Sequence, residues 1–325
     1  SDFLAVIDVR PGSPTYARVV STLPVGARAT IPHHTEHQLE LDHQLFANGF
    51  KAGRTFRFDL TRPDQPRLLG SFTELGGYSY PHSFVQLPGG RLLATFQGRG
   101  PDNIPPGGLV ELDREGRFIR ATSARSESFD SLQMRPYSLA VLPDIDRVVS
   151  TSTDMLADYG AHLQIWRLSD LSLLQTIELP TTSDSDGHAH DAPAKSKGED
   201  HHLFPGEPRA LPDGRTVLLA TFTCGFYRVT DIDGPSPRVE FLRAFGGENC
   251  AVPVLVGSLW LQTVPDEHAV VALDVTDPAR PREVSRVTFD STFKPHWMAF
   301  DAGGSRLVVN DGKRRLFLVD LDRRT

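Results

Sequence analysis

A two-strand opening recurs six times along the 325-residue chain, and this repeat constrains the fold more than any other feature. The copies are PHHTEHQLELDHQLFAN, PHSFVQLPGGRLLATFQ, RPYSLAVLPDIDRVVSTST, GEPRALPDGRTVLLATFT, CAVPVLVGSLWLQTV and PHWMAFDAGGSRLVVND. A third and usually a fourth run rich in Val, Leu, Phe and Thr follows each opening, with a period of roughly 45 to 55 residues. Four short strands per repeat are typical of a β-propeller, whereas two β-sandwiches would not repeat one opening six times.

The two ends of the chain bear on the number of blades. DFLAVIDVRPGSPTYARVVSTLP at the N-terminus resembles a third and fourth strand without a first and second, and RLFLVDLD near the C-terminus is the third strand of its repeat. We predict an all-β fold, a single β-propeller domain over residues 1–325, with seven blades of which one is incomplete. The alternative is six blades closed by the N-terminal segment. A polar insertion at about residues 181–202 is predicted to form a loop or lid.

Charge and composition bear on the partners. The formal net charge is −7 and Lys and Arg form no basic stripe, which argues against nucleic acid. No apolar run approaches the roughly 20 residues of a membrane-spanning helix, so we expect no membrane partner. The predicted partner is a small-molecule substrate, and the oligomeric state is left open. The compartment is left open, with the cytoplasm slightly favoured. Because the sequence begins without Met, the alternative is a periplasmic protein from which a leader was removed.

Three histidines occupy the same position in their repeats. His33, His82 and His296 each lie fifteen residues before the polar residue that ends the second run. In a propeller the first strand of each blade lines the central channel, so these three imidazoles are expected to face one axis. Neutral imidazole is a common ligand of copper, iron, zinc and nickel, and a set of nitrogen ligands favours copper, with iron as the alternative.

The predicted metal site extends beyond these three positions. The predicted ligands are His33, His34, His82, His202 and His296. The identity of the additional ligands is left open among His34, His37, His201 and His202.

Two carboxylates are predicted to assist the metal. Glu36 and Glu207 are the candidate catalytic residues, as proton acceptors or as groups that hold the far nitrogen of a ligand. Tyr137 and Trp297 are expected nearby as packing or hydrogen-bonding groups.

The remaining histidines and the two cysteines have less specific expectations. His43, His162 and His268 lie in or beside turns and outer strands, where a surface position is expected. Cys224 and Cys250 are too few for a disulfide framework and form either one bridge or two free thiols.

The quoted segments are similar to one known family. DFLAVIDVRPGSPTYARVVSTLP and the PHHTEH after it resemble the opening of the selenium-binding protein and methanethiol oxidase family, and the likeness extends through PHSFVQLPGG, RPYSLAVLPD, LQIWRLSDLSLLQTIEL and LDVTDPARP. The resemblance implies a seven-bladed propeller and copper bound by histidines, here His33, His34 and His82. It also implies oxidation of methanethiol by oxygen to formaldehyde, hydrogen sulfide and hydrogen peroxide. The family's cysteines after its histidines are absent from this sequence, where TEHQLELDHQ and SFVQLPGG stand instead.

From these features the sequence predicts a metal-dependent oxidase that acts on a small molecule, such as a thiol, at the mouth of the propeller channel. The alternatives are a non-haem iron oxygenase resembling carotenoid-cleaving enzymes, a metal-dependent lyase or hydrolase, and a metal-binding propeller without turnover.

Overall fold

The computed structural model describes residues 1–35, 43–129, 131–155, 159–180, 202–301, 303 and 305–322. These residues fold into antiparallel sheets that follow one another along the chain as the blades of a β-propeller. The prediction of an all-β propeller is therefore confirmed. The described residues form six blades, the alternative count, and a seventh blade is not confirmed. Within the described ranges, no helix is both long enough and apolar enough to cross a membrane.

The chain divides into two compact units, Ser1–Tyr137 and Ser138–Thr325. A single domain over residues 1–325 stays a prediction. Residues 181–201 of the predicted insertion lie outside the described residues.

The first unit contains an N-terminal hairpin and two blades. Its strands are β1 (Phe3–Asp8), β2 (Arg18–Pro24), β3 (Pro32–Thr35), β4 (Gln44–Gly49), β5 (Arg54–Asp59), β6 (Arg67–Phe72), β7 (Glu74–Leu75), β8 (Tyr78–Gln86), β9 (Leu92–Gly98), β10 (Gly108–Leu112) and β11 (Phe118–Ser123). β1 pairs with β2, the first blade has the order β3-β4-β5-β6, and the second has the order β11-β10-β9-β8-β7. Closure of a blade by the N-terminal strands stays a prediction.

The second unit contains four further blades, and its first strand begins two residues before Ser138. The strands are β12 (Pro136–Leu142), β13 (Arg147–Asp154), β14 (Tyr159–Arg167), β15 (Leu173–Glu178), β16 (Pro205–Ala210), β17 (Val217–Thr221), β18 (Gly225–Thr230), β19 (Arg238–Ala244), β20 (Val254–Val256), β21 (Leu259–Val264), β22 (Ala269–Asp274), β23 (Arg282–Thr288), β24 (Trp297–Asp301), β25 (Arg306–Asn310) and β26 (Leu316–Asp320). Three blades have four strands in chain order, and the last has three, β24-β25-β26.

The Pro-Gly-Gly turn between β8 and β9 shows how the sequence sets the strand reversal. Gly89 and Gly90 have φ of +83° and +82°, values that glycine adopts without a Cβ clash. The N–H of Leu87 donates to the carbonyl of Arg91 at 2.7 Å and closes the hairpin. The start of β8 and the end of β9 therefore lie at the same edge of the blade.

Burial falls from the middle strands of a blade toward its outer strand. Every residue of β9 and β10 is buried, whereas β6 and β23 are mostly exposed. In the first unit Phe46, Phe84 and Phe96 belong to one buried cluster that joins strands of both blades. Since a buried Phe stabilises the fold by about 1.5–3 kcal/mol, this packing joins β4 of the first blade to β8 and β9 of the second.

The first strand of three blades carries the same β-bulge. In each, two residues of the first strand oppose one of the second, so one extra residue interrupts the alternation of side chains between faces. The bulges begin at Pro32, Pro81 and Pro205. The residues inside them are His33 and His34, His82 and Ser83, and Gly206 and Glu207.

The position of His162 in the second unit differs from the expectation. The expectation of a surface position for His162 is wrong, because β14 crosses the middle of its blade and the ring is buried. Burial disfavours the charged imidazole and lowers the pKa of His162.

Cys224 and Cys250, left open as thiols or a bridge, form a buried disulfide with Cα atoms 5.0 Å apart.

Candidate metal centre

His33, His34 and His82 converge in the first unit and form the histidine cluster. Their potential ligand atoms all lie within 4.8 Å of one another. The ring centroids are 4.6 Å apart for His33 and His34, 5.0 Å for His33 and His82, and 4.0 Å for His34 and His82. His34 and His82 are buried, whereas His33 is half-buried. Three imidazoles from the first strands of neighbouring blades thus meet at one point.

The bulges explain how consecutive residues reach the same cluster. In a regular strand, His33 and His34 would point to opposite faces of the sheet. The bulge between Pro32 and Thr35 interrupts that alternation, and both rings lie against His82.

A hydrogen bond fixes the tautomer of His82. Its Nδ1 lies 2.7 Å from the carbonyl oxygen of Tyr137. Because a carbonyl only accepts, Nδ1 carries the proton, and in the neutral ring the lone pair is on Nε2. His82 would therefore bind a metal through Nε2.

The hydroxyl of Ser83 lies beside the Nδ1 atoms of two cluster histidines. Its Oγ lies 3.2 Å from Nδ1 of His82 and 3.5 Å from Nδ1 of His34. Since the Nδ1 atoms of both rings gather at Ser83, their Nε2 atoms are directed away from it. Nε2 is thus the nitrogen through which each of these two rings is available to a metal.

Tyr137 lies against the rings of His34 and His82. Its hydroxyl lies 3.2 Å from Nε2 of His34, and its ring centroid lies 3.9 Å from that of His82. The side chain is almost completely buried. The sequence predicted Tyr137 near the metal, and the structure brings it into contact with two cluster residues.

Asn48 connects the main chains of both histidine-bearing strands. Its Oδ1 accepts from the N–H of His34 at 2.7 Å, and its Nδ2 donates to the carbonyls of Pro81 and His82 at 2.8 and 2.9 Å. Asn48 is buried at the end of β4. One amide thus sets the separation of His34 and His82.

Other blades use the same kind of contact, which we call the strand clamp: a side chain near the end of a second strand donates to main-chain carbonyls of the next first strand. Gln97 donates to the carbonyls of Arg135 and Pro136, and Thr153 donates to the carbonyl of Pro205. The polar residues fifteen positions after His33 and His82 are therefore clamps.

Replacing Asn48 by Ala is expected to weaken both the fold and the metal site. It leaves buried main-chain groups at His34, Pro81 and His82 without this partner, at a cost of about 1–3 kcal/mol in the free energy of unfolding. The loosened strands should lower metal affinity about 10- to 100-fold, as changes behind a ligand typically do. Chemical denaturation and metal titration measure the two effects.

The matched control is Thr153→Val, which removes a strand clamp in the second unit. It should cost a similar amount of stability and leave metal affinity unchanged. A wild-type affinity in the Asn48 variant would contradict the positioning role.

His202 and His296 belong to the second unit. Nδ1 of His202 donates to the carbonyl of Thr223 at 2.9 Å, and its ring stacks on Phe241 of β19, the fourth strand of its blade. His296 is exposed just before β24, and the protein around its ring still disfavours the charged form and lowers its pKa. Their roles as ligands stay predictions.

The predicted carboxylates are placed differently. Glu207 is buried, accepts from the hydroxyl of Ser138, and forms an ion pair with Arg209 at 3.0 Å. This pairing compensates a buried charge and gives Glu207 a structural role in the second unit. Glu36, His37 and His201 lie outside the described residues. The catalytic roles of the two glutamates stay predictions.

The donor set of the cluster fits a transition metal. Ligand nitrogens at about 2.0–2.1 Å from a tetrahedral ion lie about 3.4 Å apart. The cluster nitrogens lie within 4.8 Å of one another, so the longest of these separations would shorten by at most about 1.4 Å around such an ion. Imidazole suits copper, zinc, iron and nickel.

Comparisons of sequence find partial matches to two groups of proteins. The chain is 38% identical over 99 residues to a methanethiol oxidase of Hyphomicrobium sp., which is 30% of this chain and 22% of that protein. It is 32% identical over 124 residues to a methanethiol oxidase of Ruegeria pomeroyi, which is 36% of this chain and 28% of that protein. Selenium-binding protein 2 of Arabidopsis thaliana is 25% identical over 210 residues, covering 56% and 42%. The matches thus span less than half the length of these relatives. No family model matches the chain.

Comparisons of structure bear on the fold alone. A hypothetical selenium-binding protein from Sulfolobus tokodaii superposes with a TM-score of 0.75 at 15% identity, covering 95% of this chain and 78% of that one. A functionally unknown protein from Desulfotomaculum acetoxidans gives a TM-score of 0.60 at 11% identity, covering 85% and 74%.

Proposed function

We propose that this chain, a divergent relative of the methanethiol oxidases and selenium-binding proteins, is a metal-dependent oxidase that acts on a small thiol at the histidine cluster. The convergence of His33, His34 and His82 carries the proposal. A fixed tautomer at His82 and a buried clamp at Asn48 add the preorganisation that a metal site needs.

Copper is the metal that we propose. Nitrogen ligation suits copper, and its reduced form has high affinity for soft sulfur, which matches a thiol substrate. When bound, copper would supply a redox centre able to exchange electrons with the thiol and with oxygen. Iron is the alternative among redox-active metals that imidazole binds.

The residues around the metal would orient and enclose the substrate. His34 and His82 are buried, so the half-buried His33 marks the side on which a small molecule approaches. Phe50 lies beside that side, with its ring centroid 5.8 Å from that of His33 and 5.9 Å from that of His82. An apolar ring there suits a methyl group or other short alkyl chain and excludes water from part of the site.

The proposed reaction balances as one methanethiol, one oxygen and one water giving one formaldehyde, one hydrogen sulfide and one hydrogen peroxide. The carbon is oxidised from thiol to aldehyde, and its two electrons reduce oxygen to peroxide. The water supplies the aldehyde oxygen when the carbon–sulfur bond is cleaved.

The test begins with elemental analysis of protein purified without a metal-affinity tag. Apoprotein is then reconstituted with copper or iron, and oxygen uptake and peroxide release are measured with methanethiol. We expect one copper per chain and uptake that requires both copper and the thiol. Turnover with iron alone would show that iron, and not copper, is the active metal. Tightly bound metal without oxygen uptake would favour the metal-binding propeller without turnover.

A further inference from the structure

We infer that Tyr137 is an oxygen ligand of the metal, so that the site holds copper with three imidazoles and one phenolate. This inference rests on the proposed function and adds a ligand type absent from the predicted histidine set. It assigns a binding role to a buried tyrosine of the first unit.

The position of the phenol oxygen carries the inference. Neighbouring ligand atoms at about 2.0 Å from one ion lie about 2.8–3.3 Å apart for angles between 90° and the tetrahedral value. The Tyr137 hydroxyl lies 3.2 Å from Nε2 of His34. Nδ1 of the same ring lies 3.5 Å from Ser83 Oγ, so the ring of His34 has Ser83 at one nitrogen and the phenol at the other. The phenol oxygen thus occupies the position of an adjacent ligand.

The fold also holds the tyrosine rigidly in that position. Its ring packs against His82 with centroids 3.9 Å apart and meets His34 edge-on at 5.6 Å. Its main-chain carbonyl accepts from Nδ1 of His82 and from the hydroxyl of Thr95 at 2.8 Å. The same residue therefore orients one imidazole through its main chain and faces another through its side chain.

Charge gives a reason for an anionic oxygen at this point. Three neutral imidazoles would leave the full double charge of copper(II) in a largely buried site, which is costly without compensation. The hydroxyls of Ser83 and Tyr137, which lie within 3.5 Å of ring nitrogens of the cluster, are neutral. On binding, the metal–oxygen bond replaces the phenol O–H bond, the proton passes to solvent water, and the net charge falls by one.

The experiment titrates copper(II) into apoprotein and records visible absorption and resonance Raman spectra. Wild-type protein should show a phenolate-to-copper(II) charge-transfer band and phenolate vibrations. Tyr137→Phe, which keeps the ring packing, should lose both signals and bind copper(II) at least about tenfold more weakly. Tyr78→Phe is the matched control, because Tyr78 is a buried tyrosine of the same unit outside the cluster, and it should keep both signals.

The outcomes separate this inference from the proposed function. Copper held by nitrogen ligands in electron paramagnetic resonance, but without a charge-transfer band, would overturn the phenolate alone. The same holds for a band that persists in Tyr137→Phe. Copper binding that is indifferent to the loss of His82 would overturn the proposed site, and the phenolate with it.

Discussion

Replacing His82 by Ala is expected to remove most of the bound metal and all turnover. The substitution deletes one of three imidazoles and the ring against which Tyr137 packs, so metal affinity should fall by more than the roughly 100-fold typical of changes behind a ligand. The fold should survive with a loss of about 1–3 kcal/mol, as for most single substitutions. The Tyr137 carbonyl keeps its hydrogen bond from Thr95, which limits that loss. Metal content, oxygen uptake and the thermal midpoint measure these effects.

His162→Ala is the matched control for this substitution. His162 is also a buried imidazole, but it lies on β14 in the second unit and outside the histidine cluster. Its loss should lower stability without changing metal content or rate. A His82 variant that retains both metal and rate would contradict the metal site. The repeated Pro-His would then have only a structural role at the start of a first strand.

Removing the disulfide is expected to give the second large effect, on stability. Cys224 and Cys250 close a loop with a sequence separation of 26, for which the chain-entropy estimate is about 3.5 kcal/mol. The double variant Cys224→Ala with Cys250→Ala should therefore unfold at a clearly lower temperature. Alanine avoids placing a hydroxyl at two buried positions.

Reductant provides the control for the disulfide. Thermal unfolding of the wild-type protein should move toward that of the double variant when reductant is added, whereas the double variant should not respond. Copper affinity at the histidine cluster should be the same in both proteins. A wild-type midpoint that is unchanged by the double substitution would mean that the bridge contributes no net stability.

The blades could be predicted because their signals are local. Apolar runs and a Pro-Gly-Gly turn within about twenty residues determine β8 and β9, and the second quoted opening contains most of both strands. The number of blades depends instead on how strands far apart in sequence close the fold, which no short window of sequence contains. The repeat therefore predicts a propeller but does not determine its number of blades.

The site follows less completely from the sequence, because the bulge that brings consecutive residues together depends on the pairing of two strands. The fifteen-residue spacing identified His33 and His82, but it did not distinguish the ligand from the clamp at the other end of the interval. The bulge that brings His34 beside His33 had a signal in the sequence, namely the proline before each pair. Proline lacks an N–H for the ladder and is tolerated within sheets at bulges. Asn48 had no such signal, because its partners are main-chain atoms.

The strand clamps separate the architecture of this protein from its chemistry. Every residue has a main-chain carbonyl oxygen. Asn48, Gln97 and Thr153 can therefore bond the next first strand whatever side chains that strand carries. The side chain of a clamped residue is not part of these hydrogen bonds. An imidazole, a phenol or a carboxylate can therefore replace another side chain there while the strand clamp is kept. A scaffold of this kind lets new reactivity evolve, or be engineered, one blade at a time.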